Sequence, residues 1–361
     1  MSSLTLVLDK CVSCNICVEE CVFLYNLGKS PREIAEDLLK GDERVRGCQF
    51  LCFLCGLCRA VCPNQVEVVE MMLDSRRNLA ESLVQQNTCY RIYFPDEPVF
   101  LVDALKERMN INFSSYVPRT FRYAFLPGCS MSCFSPKAVT KLYELLAEKL
   151  GDVGVLDVCC GKPLYDSGLE SRARKWLDNR LVVELKKRGC KTIITACPNC
   201  FYYLKSKLPS FYEVTTPYEV LKDYFERKPE GTTLTIHDSC PDRFEGIFAE
   251  QVRKTLSGCR IIEMAHSKRK TLCCGAGGLV SCSDTALPVA LVERRLSEFA
   301  GTGASLMVVY CYTCASTFWS LQQSVEVKHL LNLLLNVEDN SEVVKRGEVG
   351  KMVMEIIVGG R

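Results

Sequence analysis

The sequence predicts a multidomain chain of α+β and α/β character: a small helical unit, then two copies of a parallel α/β unit. Three observations carry this. Cysteines crowd the first 88 residues at intervals of two and three. A set of five cysteines then occurs twice, offset by 114 residues at four of its positions and 111 at the fifth. Apolar strand-like runs alternate with helical ones in both copies, the pattern of parallel α/β units.

The 361 residues leave room for two or three domains. A composition of 48% hydrophobic and 24% charged residues is that of an ordinary globular protein. A net charge of +2 argues against nucleic acid as the main partner. Lys186-Lys187-Arg188 and Lys268-Arg269-Lys270 read as solvated helix ends or loops. The opening "MSSLTLVLDKC" lacks the basic and long apolar regions of a signal peptide. No apolar stretch approaches the roughly 18 to 20 residues that span a bilayer. The expectation is a cytoplasmic protein without a membrane span, peripheral to a membrane only through a partner. With reducing conditions expected there, its 24 cysteines point to metal binding or redox work rather than to disulfides.

Residues 1–88 carry the first signal. "CVSCNICVEEC" places Cys11, Cys14, Cys17 and Cys21 as C-x2-C-x2-C-x3-C, and "CFLCGLCRAVCP" repeats this with Cys52, Cys55, Cys58 and Cys62. This is the run of the two-cluster bacterial ferredoxins, in which the fourth cysteine serves the other cluster. The expected sets are Cys11, Cys14, Cys17 and Cys62 for one cubane [4Fe–4S] cluster, and Cys52, Cys55, Cys58 and Cys21 for the other. Zinc is the alternative, but zinc sites use paired C-x2-C units. Pro63 follows Cys62 as usual, whereas Val22 follows Cys21. Between the runs, "SPREIAEDLLKG" carries a helix: Ser30 and Glu33 form a capping box, Pro31 suits the first turn, Ile34, Leu38 and Leu39 recur at helical spacing, and Gly41 ends it. "VEVVEMMLDSRRNLAESLVQ" also reads as helix. Cys48 reads as an ordinary buried cysteine. Residues 89–120 read as a linker broken by prolines, with "LVDALKERM" helical.

The duplicated region divides into residues 121–229 and 230–337, with a tail at 338–361. The first copy holds Cys129, the pair Cys159-Cys160 before Gly161, then Cys197 and Cys200. The second holds Cys240, Cys273-Cys274 before Gly275, then Cys311 and Cys314. In both, 36 residues separate the adjacent pair from the C-x-x-C. "RYAFLPG", "KTIITACPNC", "TTLTIHD" and "SLMVVYCYTC" read as apolar strands that deliver cysteines to their carboxyl ends, where open α/β sheets gather ligands. Five thiolates exceed the needs of a tetrahedral zinc or a cubane cluster, and an adjacent pair suits a more open cluster with bridging thiolates. "GAGG" lacks the Lys-Ser/Thr of a phosphate loop, and no G-x-G-x-x-G fingerprint is present.

These motifs resemble the cysteine-rich CCG domains of heterodisulfide reductase. The whole plan resembles the D subunit of that enzyme, equivalent to its C and B subunits fused in one chain. The resemblance implies a noncubane [4Fe–4S] cluster in each copy, with the disulfide of coenzyme M and coenzyme B cleaved between them into two thiols. It also implies an electron donor, either a flavin-containing subunit or a membrane b-type cytochrome. The rival reading is an electron-transfer subunit of a glycolate-, lactate- or quinone-linked dehydrogenase. A zinc-stabilised scaffold is a third. His237, three residues before Cys240, is the candidate proton donor, against the plainer reading of a strand-end histidine. Lys162 and Asp238 stand beside candidate ligands; His266 and His329 read as structural. Cys133, Cys190, Cys259 and Cys282 read as core, Cys89 is unassigned, and the tail reads as a terminal strand or partner contact.

Overall fold

The computed structural model describes residues 2–225 and 231–359. The expected boundary between the copies, at 229 and 230, and the last two residues of the tail lie outside the described residues.

In the N-terminal unit, helices Ser3–Lys10, Pro31–Lys40 and Val68–Leu79 pack around the two cysteine runs. The capping box forms as the sequence suggests: the Glu33 amide donates to Ser30 Oγ, and the Ser30 amide donates to Glu33 Oε2 at 2.8 Å. Gly41 closes the helix at φ +69°. Ile34 is buried but Leu39 is 56% exposed, so the apolar stripe is narrower than expected. The next helix continues through a π-helical turn at Ala80–Val84.

Each copy then folds as a four-stranded parallel sheet. The first contains β1 (Tyr123–Leu126), β2 (Val153–Val155), β3 (Thr192–Thr195) and β4 (Glu213–Thr215), in the order β2-β1-β3-β4. The second repeats it with β5 (Thr233–His237), β6 (Arg260–Ile261), β7 (Leu306–Val309) and β8 (Glu326–His329), in the order β6-β5-β7-β8. The register aligns Leu126 with Thr195 and His237 with Val309. The two central strands of each sheet therefore end level, and the chain beyond them carries Cys129 beside Cys197 and Cys240 beside Cys311.

The two copies share one core. Ile194, Phe201, Phe248, Val308 and Tyr310 belong to the same buried cluster, with Phe248 stacked on Tyr310 at 6.0 Å. Each copy keeps a second layer of its own, around Ala124 and Ile193 in one and Met307 and Val309 in the other.

Residues 89–120 are more than a linker. Helix Leu101–Arg108 buries Leu101 and Leu105. Cys89, unassigned from the sequence, forms a disulfide with Cys282, which packs against a buried cluster. The tail is a helix, Glu348–Gly359, rather than a strand. Its Ile356 packs with Leu101 and Leu105, and Arg108 pairs with Glu355 at 2.9 Å.

Candidate metal centres

In the N-terminal unit the fourth cysteine of each run crosses to the other set. Cys11, Cys14, Cys17 and Cys62 line one cavity, with Cys58 at its wall. Cys21 lies instead against Cys55 and Cys52. Burial pushes the Cys17 thiol up to about 12, and neighbouring thiols add to this; burial, then Cys55, pushes Cys21 to about 12. Cys17 and Cys58 are themselves neighbours, so the two sets adjoin.

In the duplicated region the thiols form the same chain of contacts twice. Cys129 meets Cys159, Cys159 meets Cys160, Cys160 meets Cys200, and Cys200 meets Cys197. Likewise Cys240 meets Cys273, Cys273 meets Cys274, Cys274 meets Cys314, and Cys314 meets Cys311. The amides of Gly161 and Gly275 donate to Cys159 Sγ and Cys273 Sγ, each at 3.4 Å. Hydrogen bonds from Cys159 and Cys200 hold the Cys160 thiol well below its ordinary pKa. Those from Cys273 and Cys314 do the same to Cys274. In the second copy Cys311 is lowered as well, by hydrogen bonds from Cys197 and Cys314.

Two contacts join the sets into one track. Cys55 touches Cys273, and Cys197 touches Cys311. The order is Cys11/14/17/62, then Cys52/55/58/21, then the second copy, then the first.

Buried cations flank this track. Arg76, fully buried, donates to the carbonyls of Gln49, Cys52, Asp166 and Gly278. Arg243, 3% exposed, donates to the carbonyls of Cys55, Arg269 and Thr271. Among the described residues neither meets a carboxylate at ion-pair distance. A buried guanidinium needs a counter-charge, and the Cys52 and Cys55 thiols are the groups placed to supply it. Thiols in mutual contact ionise together only on a strongly positive centre. The donor set therefore fits an iron–sulfur group. The sequence reading missed both arginines. Val68, Met72 and Arg76 recur every four residues on one helix face, and an arginine on an apolar stripe was the available signal.

His237 is 1% exposed. Its Nδ1 accepts from Arg295 Nε at 3.0 Å, which fixes the proton on Nε2, and Nε2 has no partner. A ring nitrogen lies within 4.8 Å of the Cys274 and Cys314 sulfurs, and Phe318 meets the ring edge-on. Burial, then Arg295, pushes its pKa down to about 3. The ring is shielded from solvent and faces the second cysteine set. Asp238 is committed to Arg253, at 2.8 and 2.9 Å, and Lys162 to Asp166 at 2.5 Å. His266 bridges Glu20 and Glu298, and His329 caps the helix Leu330–Leu335 while stacking on Tyr312. Cys48, Cys133 and Cys190 are buried outside the track.

Comparison with known proteins matches this layout. The 4Fe-4S dicluster domain family matches residues 7–66, and the cysteine-rich domain family matches 123–205 and 234–319. The chain contains one domain of the first family and two of the second. It is similar to the D subunit of the dihydromethanophenazine:CoB–CoM heterodisulfide reductase of Methanosarcina barkeri, 26% identical over 85% of this chain and 87% of the relative. The B subunit of the fumarate reductase (CoM/CoB) of Methanothermobacter marburgensis is 25% identical over 84% of this chain and 66% of the relative. The EtfAB:quinone oxidoreductase of Syntrophomonas wolfei is 27% identical over 63% of this chain and 36% of the relative. The protein is thus an iron–sulfur oxidoreductase related to these enzymes. Among the described residues no helix is long and apolar enough to cross a membrane.

Proposed function

We propose that the protein is the disulfide-reducing subunit of a heterodisulfide reductase-like complex. The observation that carries this is the completeness of both five-cysteine sets, joined to each other at Cys197–Cys311 and to the ferredoxin cysteines at Cys55–Cys273. The reaction is R–S–S–R′ + 2 e⁻ + 2 H⁺ → RSH + R′SH. The electrons come from a reduced donor protein carrying a flavin or a b-type haem. The disulfide of coenzyme M and coenzyme B, or a similar small disulfide, is the substrate.

Cys11, Cys14, Cys17 and Cys62 would hold one cubane cluster, and Cys52, Cys55, Cys58 and Cys21 a second. Cys129, Cys159, Cys160, Cys197 and Cys200 would hold one noncubane cluster, and Cys240, Cys273, Cys274, Cys311 and Cys314 the other. Bound there, such clusters supply one-electron redox chemistry and iron that takes up sulfur. The chain's own contribution is to keep the thiols dry, to place the four sets in a line, and to balance their charge with Arg76 and Arg243.

Similarity to the quinone oxidoreductase favours a second reading, in which the chain passes electrons to a partner and makes no contact with a disulfide. Low-temperature EPR of the oxidised, anaerobically purified protein separates the two. A paramagnetic signal that appears only with coenzyme M thiol supports disulfide reduction. Full iron content with no response to any thiol leaves electron transfer as the function.

A further inference from the structure

The two cysteine sets of the repeat match in number and contact pattern, and most of their thiols are buried alike. Cys159, Cys160 and Cys200 correspond in this to Cys273, Cys274 and Cys314. Each set receives one glycine amide, from Gly161 or Gly275, at 3.4 Å. Each also has one cation nearby, and both cations are paired: Lys162 with Asp166, and Arg295 with Glu298 at 2.6 Å. The sets differ in the side chains that the strand before them supplies.

Strand β5 and its extension bring two polar groups to the second set. His237 and Ser239 are each 1% exposed, and neither His237 Nε2 nor Ser239 Oγ has a nitrogen or oxygen partner. Arg295 Nε donates to His237 Nδ1, so the hydrogen of the ring is on Nε2 and that atom is a donor. A ring nitrogen lies within 4.8 Å of the Cys274 and Cys314 sulfurs, and Ser239 Oγ stands beside the Cys311 sulfur. A buried donor without an acceptor is costly, and sulfur is the acceptor within reach of both.

The first set has no counterparts. At the offset of 111 residues that relates Cys240 to Cys129, His237 corresponds to Leu126 and Ser239 to Gly128. Gly128 leaves no room for a side chain. Its φ is +85°, and a Cβ there would stand 2.8 Å from the Cys197 Cβ and 3.6 Å from its sulfur. The first copy thus presses bare backbone on the thiols where the second places a hydroxyl.

From this difference we propose that the two sets are unequal electron sites, the second being the first to fill. His237 and Ser239 donate to sulfur at the second set, and such bonds strengthen as the acceptor gains charge. Cys311 is more buried than Cys197, which alone disfavours added charge, and Ser239 stands at that same sulfur to offset it. The first electron then waits at the second set, next to Cys55 of the ferredoxin unit, and the second electron passes on to the first set. The pair is filled before a disulfide takes both electrons. This rests on the cluster-binding reading above and adds to it the order of filling and the residues that set it.

The test is EPR-monitored reduction of the iron-loaded full chain, labelled with 15N-histidine, and of the variants Ser239→Ala, His237→Leu and His237→Gln. Of the two signals from the duplicated region, the first to be reduced should carry a 15N coupling that His237→Leu removes. The expected preference of the first electron for the second set is about tenfold, or about 59 mV for a one-electron couple. Ser239→Ala and His237→Leu should each cut it by about fivefold, the worth of one hydrogen bond. His237→Gln, whose amide can donate, should restore part of it. Ser239→Ala removes a single hydroxyl and keeps the site testable if His237→Leu loses iron. Equal midpoints, a first-reduced signal without histidine coupling, or unchanged midpoints in iron-loaded Ser239→Ala and His237→Leu overturn the order of filling and leave the cluster reading standing. Iron for the ferredoxin unit alone, with no signal from the duplicated region, overturns the cluster reading and the order of filling with it.

Discussion

Arg76 donates through Nη1 to the carbonyl of Gly278 at 2.9 Å, across 202 residues of chain. The same guanidinium reaches Cys52 in the ferredoxin unit and Asp166 in the first copy, both at 2.6 Å. One side chain thus pins three parts of the molecule around the thiol track. Arg76→Met would remove a donor from four carbonyls, of which that of Gln49 keeps the Cys52 amide at 3.4 Å. Such losses cost about 1 to 3 kcal/mol each when unrelieved, and removing one member of a buried charge network typically costs about 3 to 5 kcal/mol in all. The expected outcome is a clearly lower melting midpoint and iron lost from the ferredoxin sets. Arg76→Lys recovers only part, because an ammonium cannot reach all four acceptors. A holoprotein melting curve and an iron assay for each variant check this. A midpoint unchanged in Arg76→Met would refute it.

Gly277 sets the distance between the second copy and the ferredoxin unit. An added methyl would meet the Phe53 carbonyl at 2.2 Å, backbone against backbone, with no flexible side chain to give way. Overpacking of this kind costs about 1 to 3 kcal/mol. Gly277→Ala should therefore separate Cys55 from Cys273. The expected readout is weaker spin–spin broadening in the fully reduced EPR spectrum, at full iron content. Gly301, which has open space around it, supplies the control: Gly301→Ala should leave the spectrum unchanged.

His237 faces the second set with a free Nε2–H, while the equivalent position in the first copy, three residues before Cys129, is Leu126. Hydrogen bonds to cluster sulfur raise reduction potentials. His237→Leu should make the second site resemble the first. A hydrogen bond from Nε2 to a sulfur of a bound cluster, about 1 kcal/mol, would correspond to about 40 mV for a one-electron couple, and His237→Leu would remove it. EPR-monitored redox titration measures it. Arg295→Met should lower the same potential, since Arg295 fixes the tautomer. A proton-donor role would instead cut turnover while leaving the potential in place.

Much of this architecture was legible because cysteine spacing is a local property. The two ferredoxin cysteine runs, the offset of 114 between copies, the capping box at Ser30 and Glu33, and the strands ending at Cys197 and Cys311 all follow from short-range pattern. What escaped depends on residues brought together from far apart. Arg76 and Arg243 bind carbonyls that no pattern names. The common core of the two copies has no local signature, because each strand's pattern reports that it is buried and not by what. The proline breaks at 89–120 mark a connector but do not show that Leu101 and Leu105 are buried in it. His237 stood out for its position beside Cys240, but its partner Arg295 lies 58 residues on and carries no local signal.

Cys89 and Cys282 are joined across a sequence separation of 193 residues, tying the docked segment to the turn Gly277–Cys282 that meets the ferredoxin unit. Tyr90 and Ser283, one residue beyond each cysteine, share a hydrogen bond of 2.7 Å, so the chains are held together there even without the bond. A disulfide typically contributes about 2 to 4 kcal/mol, mainly by restricting the unfolded chain. Cys89→Ser should therefore lower the melting midpoint while leaving iron content and the thiol-dependent EPR signal unchanged, because neither cysteine belongs to the track. Cys282→Ser should match it. Peptide mapping after alkylation without reductant should return one cross-linked species containing both residues. It should disappear on prior reduction, with 22 cysteines free in the bonded form. Recovery of Cys89 and Cys282 as separately alkylated peptides from protein kept oxidised would refute the bond. A loss of iron in Cys89→Ser would give this segment a part in holding the clusters.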